Sequence, residues 1–157
     1  MKLISSISEM QDASDCHRSE GRVIGLVPTM GFLHEGHTSL IRLAKDRSDL
    51  AVVSLFVNPL QFGPNEDYQT YPRNLEEDLR LIEETGGEIV FTPPTDEMYP
   101  DDLSTHVHVE ALTDGLCGAS RSGHFRGVTT VVTKLLAIVK PHLAVFGQKD
   151  AQQALVE

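Results

Sequence analysis

Two things are scarce in this sequence: cysteine and positive charge. Its two cysteines, Cys16 and Cys117, stand far apart and offer neither a disulfide scaffold nor a metal-ligand spacing, so both read as reduced thiols. Cys117 has no base arranged beside it and reads as a structural thiol. Lysine and arginine number 13 against 23 acidic residues, a formal charge of -10. That balance excludes the broad basic surface of a nonspecific DNA or RNA binder. Any phosphate must then meet a few focused donors or a metal ion. Long apolar runs are missing too, since Asp49, Asn58 and Lys134 interrupt the longest ones, and none reaches membrane-spanning length. The opening MKLISSISEM lacks the apolar stretch of a secretory signal, which leaves the cytoplasm as the default location. No internal repeat, low-complexity tract or linker divides the chain.

What is present is a globular composition, 40% hydrophobic and 23% charged over 157 residues, enough for one core and one domain spanning 1–157. Met1 to Ile4 reads as extended and Ser8 to Ser19 as a surface helix. Val23 to Val27 is an apolar run stopped by Pro28, in the manner of a strand buried on both faces. Gly36 to Asp46 has helix character, with Leu40, Leu43 and Ala44 as its apolar stripe. Leu50 to Val57 reads as a second central strand, ended by Asn58-Pro59. Leu75, Leu79 and Ile82 mark a helix stopped by Gly86-Gly87, and Glu88 to Phe91 resumes as a strand. THVHVE (Thr105 to Glu110) reads as extended, Val128 to Val139 as a helix, and Leu143 to Phe146 as a strand; Asp150 can cap a last helix. Alternating strands and helices predict an α/β fold, a Rossmann-like, open and mainly parallel sheet with helices on both faces. Ligands in such a sheet bind outside the C-terminal strand ends.

The unusual residues fall at those ends. In Pro28-Thr29-Met30-Gly31-Phe32-Leu33-His34-Glu35-Gly36-His37, glycines after a buried strand let backbone approach a ligand. His34 and His37 share one face of a helix start, where free N–H groups and the dipole suit a phosphate. The stretch is neither a Walker loop nor the GxGxxG fingerprint. Its alternatives are a buried turn with solvated histidines, or a zinc site on the pair, for which no further ligand set is evident. Off the second strand, Asn58 and Gln61 in FVNPLQF can each donate and accept, as a ligand with hydroxyls and a carboxylate requires. They can equally satisfy backbone groups of their own loop. Arg73 at a helix beginning is either electrostatically useful or paired with Glu76 or Glu77. LCGASRSGHFRGV (Leu116 to Val128) reads as a shaped loop able to approach an anion, with Arg121 and His124 as site wall or as structure. FGQKDAQQ (Phe146 to Gln153) follows a strand and again falls at the ligand edge.

Taken in order, PTMGFLHEGH, FVNPLQF, Glu66-Asp67 with Tyr71-Pro72-Arg73, Met98-Tyr99-Pro100, LCGASRSGHFRGV and FGQKDAQQ resemble the signatures of the pantothenate synthetases. These belong to the HIGH-type nucleotidyltransferase superfamily, whose tetrad is His34-Glu35-Gly36-His37 here. The resemblance covers most of the chain after residue 23. It implies a carbon-nitrogen ligase that condenses pantoate with beta-alanine at the expense of ATP, through a pantoyl adenylate, giving pantothenate, AMP and diphosphate. By resemblance, His34 and His37 contact the ATP phosphates, with His37 the catalytic general acid. The ATP site then takes Met30, Gly31, Phe32, Leu33, His34, Glu35, Gly36 and His37, joined by Gly147, Gln148, Lys149 and Asp150. Asn58, Gln61, Arg121, His124 and Gln153 face the acid substrate, Gln61 also forming the beta-alanine region. Mg2+ accompanies ATP, and Asp78, read as an acidic residue on an exposed helix face, is a weaker candidate for its surroundings. Two residues depart from the pattern. Phe32 stands where a small residue is common, and Ser122 replaces the usual proline, which loosens the loop.

Family members continue with a lysine- and serine-containing loop and a smaller domain that covers the site, and they form homodimers. The expectation for this chain is therefore the nucleotide- and pantoate-binding N-terminal domain, without its C-terminal lid and impaired in catalysis. Its partners are small molecules rather than nucleic acid or membrane. Two other functions stay open: a nucleotidyltransferase that adenylates another metabolite, and a non-catalytic nucleotide- or pantoate-binding module.

Overall fold

The computed structural model describes residues 1–63, 68–110 and 123–148. Glu66-Asp67, Cys117, Arg121, Ser122, Lys149, Asp150, Gln153 and the helix expected after Asp150 lie outside the described residues. Five strands form one sheet in the order β1-β4-β3-β2-β5: β1 (Lys2–Ile4), β2 (Ile24–Thr29), β3 (Leu50–Leu55), β4 (Ile89–Phe91) and β5 (Leu143–Ala144). Every pairing is parallel, so the expected open parallel α/β sheet is what the chain forms. The central strands are apolar at successive positions because both faces are covered. Ile24, Leu26 and Val52 join one buried cluster, Val27, Ala51 and Val53 the other.

The first face is covered by α1 (Ile7–Ser19) through Met10, by the short α4 (Thr95–Met98) through Met98 and by α5 (His124–Val139) through Val128, Val131 and Leu135. The second is covered by α2 (Glu35–Arg47) through Ile41 and Ala44, and by α3 (Leu75–Thr85) through Ile82. Local chemistry sets the helix ends. The Ser6 hydroxyl accepts the Glu9 N–H (3.4 Å) and starts α1, while Asn74 accepts the Glu77 N–H (3.3 Å) and starts α3. Gly86, at φ +99°, ends α3 by turning its own N–H and that of Gly87 onto the Ile82 carbonyl.

Several expectations need correction. Pro28 does not stop β2, which runs through it to Thr29. The Thr29 carbonyl bonds Phe56 on the β3 side, so the Pro28 nitrogen faces the β5 side. There the Val145 N–H still bonds the Leu26 carbonyl, and the next bond of that ladder is one a proline cannot donate, so pairing with β5 ends while pairing with β3 carries β2 on. On α2 the buried stripe runs through Thr38, Ile41 and Ala44, while Leu43 is 41% exposed. Thr105 to Glu110 forms no strand, because Val107 instead bonds the hydroxyls of Thr129 (2.7 Å) and Thr130 (3.0 Å) on α5. α5 starts four residues before Val128, its polar-looking first turn burying His124 and Phe125.

The chain steps from β2 to β3 to β4 in one direction, and β5 returns to the other flank of β2. The crevice outside the C-terminal ends of β2 and β5 is the switch point where such sheets bind ligands. The histidine loop leaves β2 there, beside Gly147 and Gln148 after β5.

Candidate functional site

Thr29 fixes the start of the histidine loop by donating to the Ser54 carbonyl (2.8 Å) while accepting the Gly31 N–H (3.2 Å). Gly31 (φ +84°) and Phe32 (φ +53°) then both take left-handed backbone. This double turn aims the N–H groups of Phe32 and Leu33 at one carboxylate, Asp78, at 2.9 and 2.7 Å. Asp78 is not on an exposed helix face. It is 3% exposed, and each of its oxygens accepts a loop amide, a charge-assisted pair that clamps the loop to α3. Phe32 adopts this left-handed conformation although the residue is 56% exposed.

The two histidines cap α2 themselves. His34 Nδ1 accepts the Gly36 N–H (3.1 Å), and His37 Nδ1 accepts the His34 N–H (3.3 Å), which brings the ring centroids to 4.2 Å. A backbone N–H can only donate, so each Nδ1 acts as an acceptor and each neutral ring carries its proton on Nε2. The free backbone donors expected at this helix start are therefore not free. The N–H groups of Gly31, Phe32, Leu33, His34, Gly36, His37 and Thr38 all have partners within the chain. Here the imidazole edges are the donors suited to an anion.

A cavity of about 500 Å³ is bounded by Met30, Gly31, Phe32, His34, Gly36 and His37, with Gly147, Gln148 and Tyr71 across from them. Two expected members do not line it. Leu33 packs into the apolar cluster beneath α2, and exposed Glu35 pairs with Arg42 (2.9 Å), which holds its carboxyl below the ordinary carboxylate range. Burial, then the Asp78 charge, pushes the Tyr71 phenol above its ordinary value, so it stays a neutral hydroxyl.

A second cavity, of about 190 Å³, has Thr29, His37, Asn58 and Gln61 as its polar lining and Val128, Val131, Val132 and Leu135 of α5 as its apolar wall. From the sequence, these four are only part of the helix expected over Val128 to Val139, in which apolar residues serve core packing equally well. Asn58 is 1% exposed, and protein groups take all its bonding capacity. Its oxygen accepts from the Leu60 N–H (3.2 Å) and the Tyr99 hydroxyl (2.8 Å), and its nitrogen donates to the Gly127 carbonyl (3.0 Å) and to Gln61 Oε1 (3.1 Å). Gln61 Nε2 rests on the Met30 sulfur at 2.9 Å. His124 is buried beneath this loop and lines none of these cavities; its Nδ1–H donates to the Gln61 carbonyl (2.8 Å). Gly127 is what lets α5 press so close, since a Cβ there would overlap the Leu60 carbonyl and lie 2.6 Å from the Gln61 nitrogen.

A third cavity, of about 270 Å³, lies behind Gly31 and includes Asp78, Arg73 and Thr92 in its walls. Arg73 pairs with neither Glu76 nor Glu77 in the expected way. It donates to the carbonyls of Tyr68 (3.1 Å), Gln69 (3.3 Å) and Tyr71 (2.9 Å) and stacks over the Tyr68 ring, while Glu77 bonds Arg80.

The family model described as Pantoate-beta-alanine ligase matches residues 2–156. The chain is 58% identical over 156 residues to the pantothenate synthetase of Acetivibrio thermocellus, covering 99% of this chain and 56% of that protein. It is 60% identical over 156 residues to the pantothenate synthetase of Pelotomaculum thermopropionicum, with 99% and 55% covered. Its fold superposes on the crystal structure of pantothenate synthetase from Thermus thermophilus with a TM-score of 0.92 at 46% identity, covering 99% of this chain and 55% of that one. For the pantoate-beta-alanine ligase of Francisella tularensis, solved in complex with beta-gamma ATP and beta-alanine, the TM-score is 0.90 at 41% identity, with 99% and 60% covered. The chain thus spans about half the length of the curated relatives it matches.

Proposed function

We propose that this chain, which belongs to the pantoate-beta-alanine ligase family, holds ATP and pantoate for the ATP-dependent condensation of pantoate with beta-alanine. One observation carries the reading. The larger and smaller cavities meet, and Pro28, Met30, His37 and Phe146 line both. A triphosphate in the larger cavity and a carboxylate in the smaller one approach each other beside His37. The pantoate carboxylate attacks the α-phosphorus, the bond to diphosphate breaks, and the adenylate forms. The amine of beta-alanine then attacks the activated carbonyl, loses a proton, and AMP leaves. His34 and His37 contribute Nε2–H donors to phosphate oxygens, and the enzyme's part is alignment and charge stabilisation. Gln61 meets the acid, while the α5 valines receive its branched apolar body. Lys149 and Asp150 are assigned to the nucleotide and Arg121 and Gln153 to the acid, on their motifs alone.

Among the described residues no group of three or more His, Cys, Asp or Glu side chains could hold a metal ion. Asp78 already binds two amides. In this reading Mg2+ enters on the ATP phosphates, where it offsets their charge. A homodimer in the cytoplasm belongs to the same family reading. No helix among the described residues is long and apolar enough to cross a membrane.

The test pairs calorimetric titration of ATP–magnesium, pantoate and competing hydroxy acids with a diphosphate-release assay. Pantoate is expected to bind above its competitors and diphosphate release to depend on it. ATP binding without preference for pantoate would point to adenylation of another metabolite. Binding of both without any diphosphate, in a protein of the relatives' full length carrying these residues, would leave a binding module.

A further inference from the structure

We infer that Tyr99, which lines none of the cavities described, is a positioning residue that helps hold the polarity of the acid pocket through Asn58 and Gln61. The inference rests on the pantoate reading for the identity of the ligand, but its geometry does not depend on it.

The orientation of the Asn58 amide is decided by groups of fixed character. The Leu60 N–H can only donate and the Gly127 carbonyl can only accept, so the Asn58 oxygen must face Leu60 and its nitrogen must face Gly127. The Tyr99 hydroxyl adds a second donor on the oxygen side, at 2.8 Å. Asn58 then has one N–H left, and this N–H requires an acceptor, which is Gln61 Oε1 at 3.1 Å. Gln61 is thereby fixed as well, with its oxygen turned inward and its Nε2 at the cavity, on the Met30 sulfur. A thioether is a weak acceptor, so this donor gains by exchanging sulfur for a ligand oxygen. The pocket consequently offers Gln61 as a donor only. It selects an acceptor, a carboxylate or hydroxyl oxygen, rather than an amide or amine N–H.

Tyr99 reaches this network from the segment after β4, distant in sequence from the Asn58 loop. Its ring lies 5.9 Å from Phe56 between centroids, and Lys134 Nζ stands 5.6 Å over it. Tyr99→Phe keeps both ring contacts and removes only the donor, so inversion of the Asn58–Gln61 pair has one bond fewer opposing it.

The experiment is a double-mutant cycle read by pantoate affinity, with ATP affinity as the control. Tyr99→Phe is expected to weaken pantoate binding about fivefold, as one hydrogen bond implies, and to leave ATP binding within about twofold. In a Gln61→Ala background the same change is expected to have almost no effect, because the group through which Tyr99 acts is gone. An equal loss in both backgrounds would overturn the inference and make Tyr99 a packing residue. A second readout needs no ligand. The side-chain amide resonances of Asn58 and Gln61 in an isotope-labelled chain are expected to shift, broaden or double in Tyr99→Phe, while those of α5 backbone stay in place. Undisturbed side-chain amides would also overturn it. If the parent chain shows no pantoate binding, the substrate reading fails, and the resonances alone still decide the relay.

Discussion

The two lobes of the site are held by opposite means. The histidine loop is fixed by its backbone: two amides on Asp78, one on Thr29 and two on imidazole nitrogens, with Phe32 and His34 left exposed. The proposed acid pocket is fixed by side-chain amides, with Asn58 saturated and buried and Gly127 allowing the α5 backbone against the Leu60–Gln61 peptide. The first arrangement keeps the ring donors at the surface, where a large, mobile polyanion can arrive. The second keeps Asn58 out of water and fixes which end of an amide a small ligand meets. A phosphate site tolerates exposure because charge acts at a distance. An acid pocket that discriminates by hydrogen bonding needs burial, where an unpaired group is costly.

Substitutions that touch one lobe and spare the other test this contrast. The largest expected effect is on stability. Asp78→Ala strands two loop amides and should cost about 3 kcal/mol in urea unfolding, with ATP binding falling further than pantoate binding. Asp78→Asn retains one acceptor and should cost less. Restoration of ATP binding in that variant by excess magnesium would instead make Asp78 a metal ligand. His37→Ala comes next. Pantoyl-adenylate formation should slow on the order of 100-fold in a protein of the relatives' full length, while circular dichroism stays unchanged apart from a weakened α2 cap. An unaltered rate removes His37 from the chemistry.

Gly127→Ala should act on the other lobe. The gain in helix propensity is outweighed by overlap with backbone that cannot swing aside, for a net loss of about 2 kcal/mol and a pantoate affinity reduced beyond ATP affinity. Equal affinities in variant and parent would show that the Pro59–Gln61 turn yields freely. The smallest effect is a gain. Phe32→Gly removes a bulky side chain from left-handed backbone and should add about 0.5–1 kcal/mol to stability by thermal unfolding, without changing pantoate binding. A loss of stability would mean that the exposed ring makes contacts that outweigh its backbone strain.

Much of the frame was legible because it is local. Apolar runs mark β2 and β3 as strands covered on both faces, and Gly86-Gly87 ends α3 where expected. Three-residue spacing places His34 and His37 together at a helix start, and the centroid distance of 4.2 Å confirms it. Pro28 misled because a proline's cost depends on which neighbour its nitrogen faces. Leu43 misled because periodicity alone leaves the phase of a helix uncertain by one position, and Ile41 has the buried place.

The sequence by itself determined the parallel α/β frame, the strand ends that carry the site, and the identity of its motifs. The frame and the strand ends follow from backbone preference and hydrophobic period, which act over a few residues, whereas the motifs were identified by their resemblance to a family. Only the tertiary structure decided that Asp78 clamps the histidine loop, that Asn58 is saturated by four groups, and that His124 supports Gln61 rather than lining any of the three cavities described. These contacts join segments far apart in the chain. A carboxylate or an amide reads the same in sequence whether it meets a ligand or a backbone. What separates the two is burial and the fixed donor or acceptor character of the neighbours, and both exist only once the chain has folded.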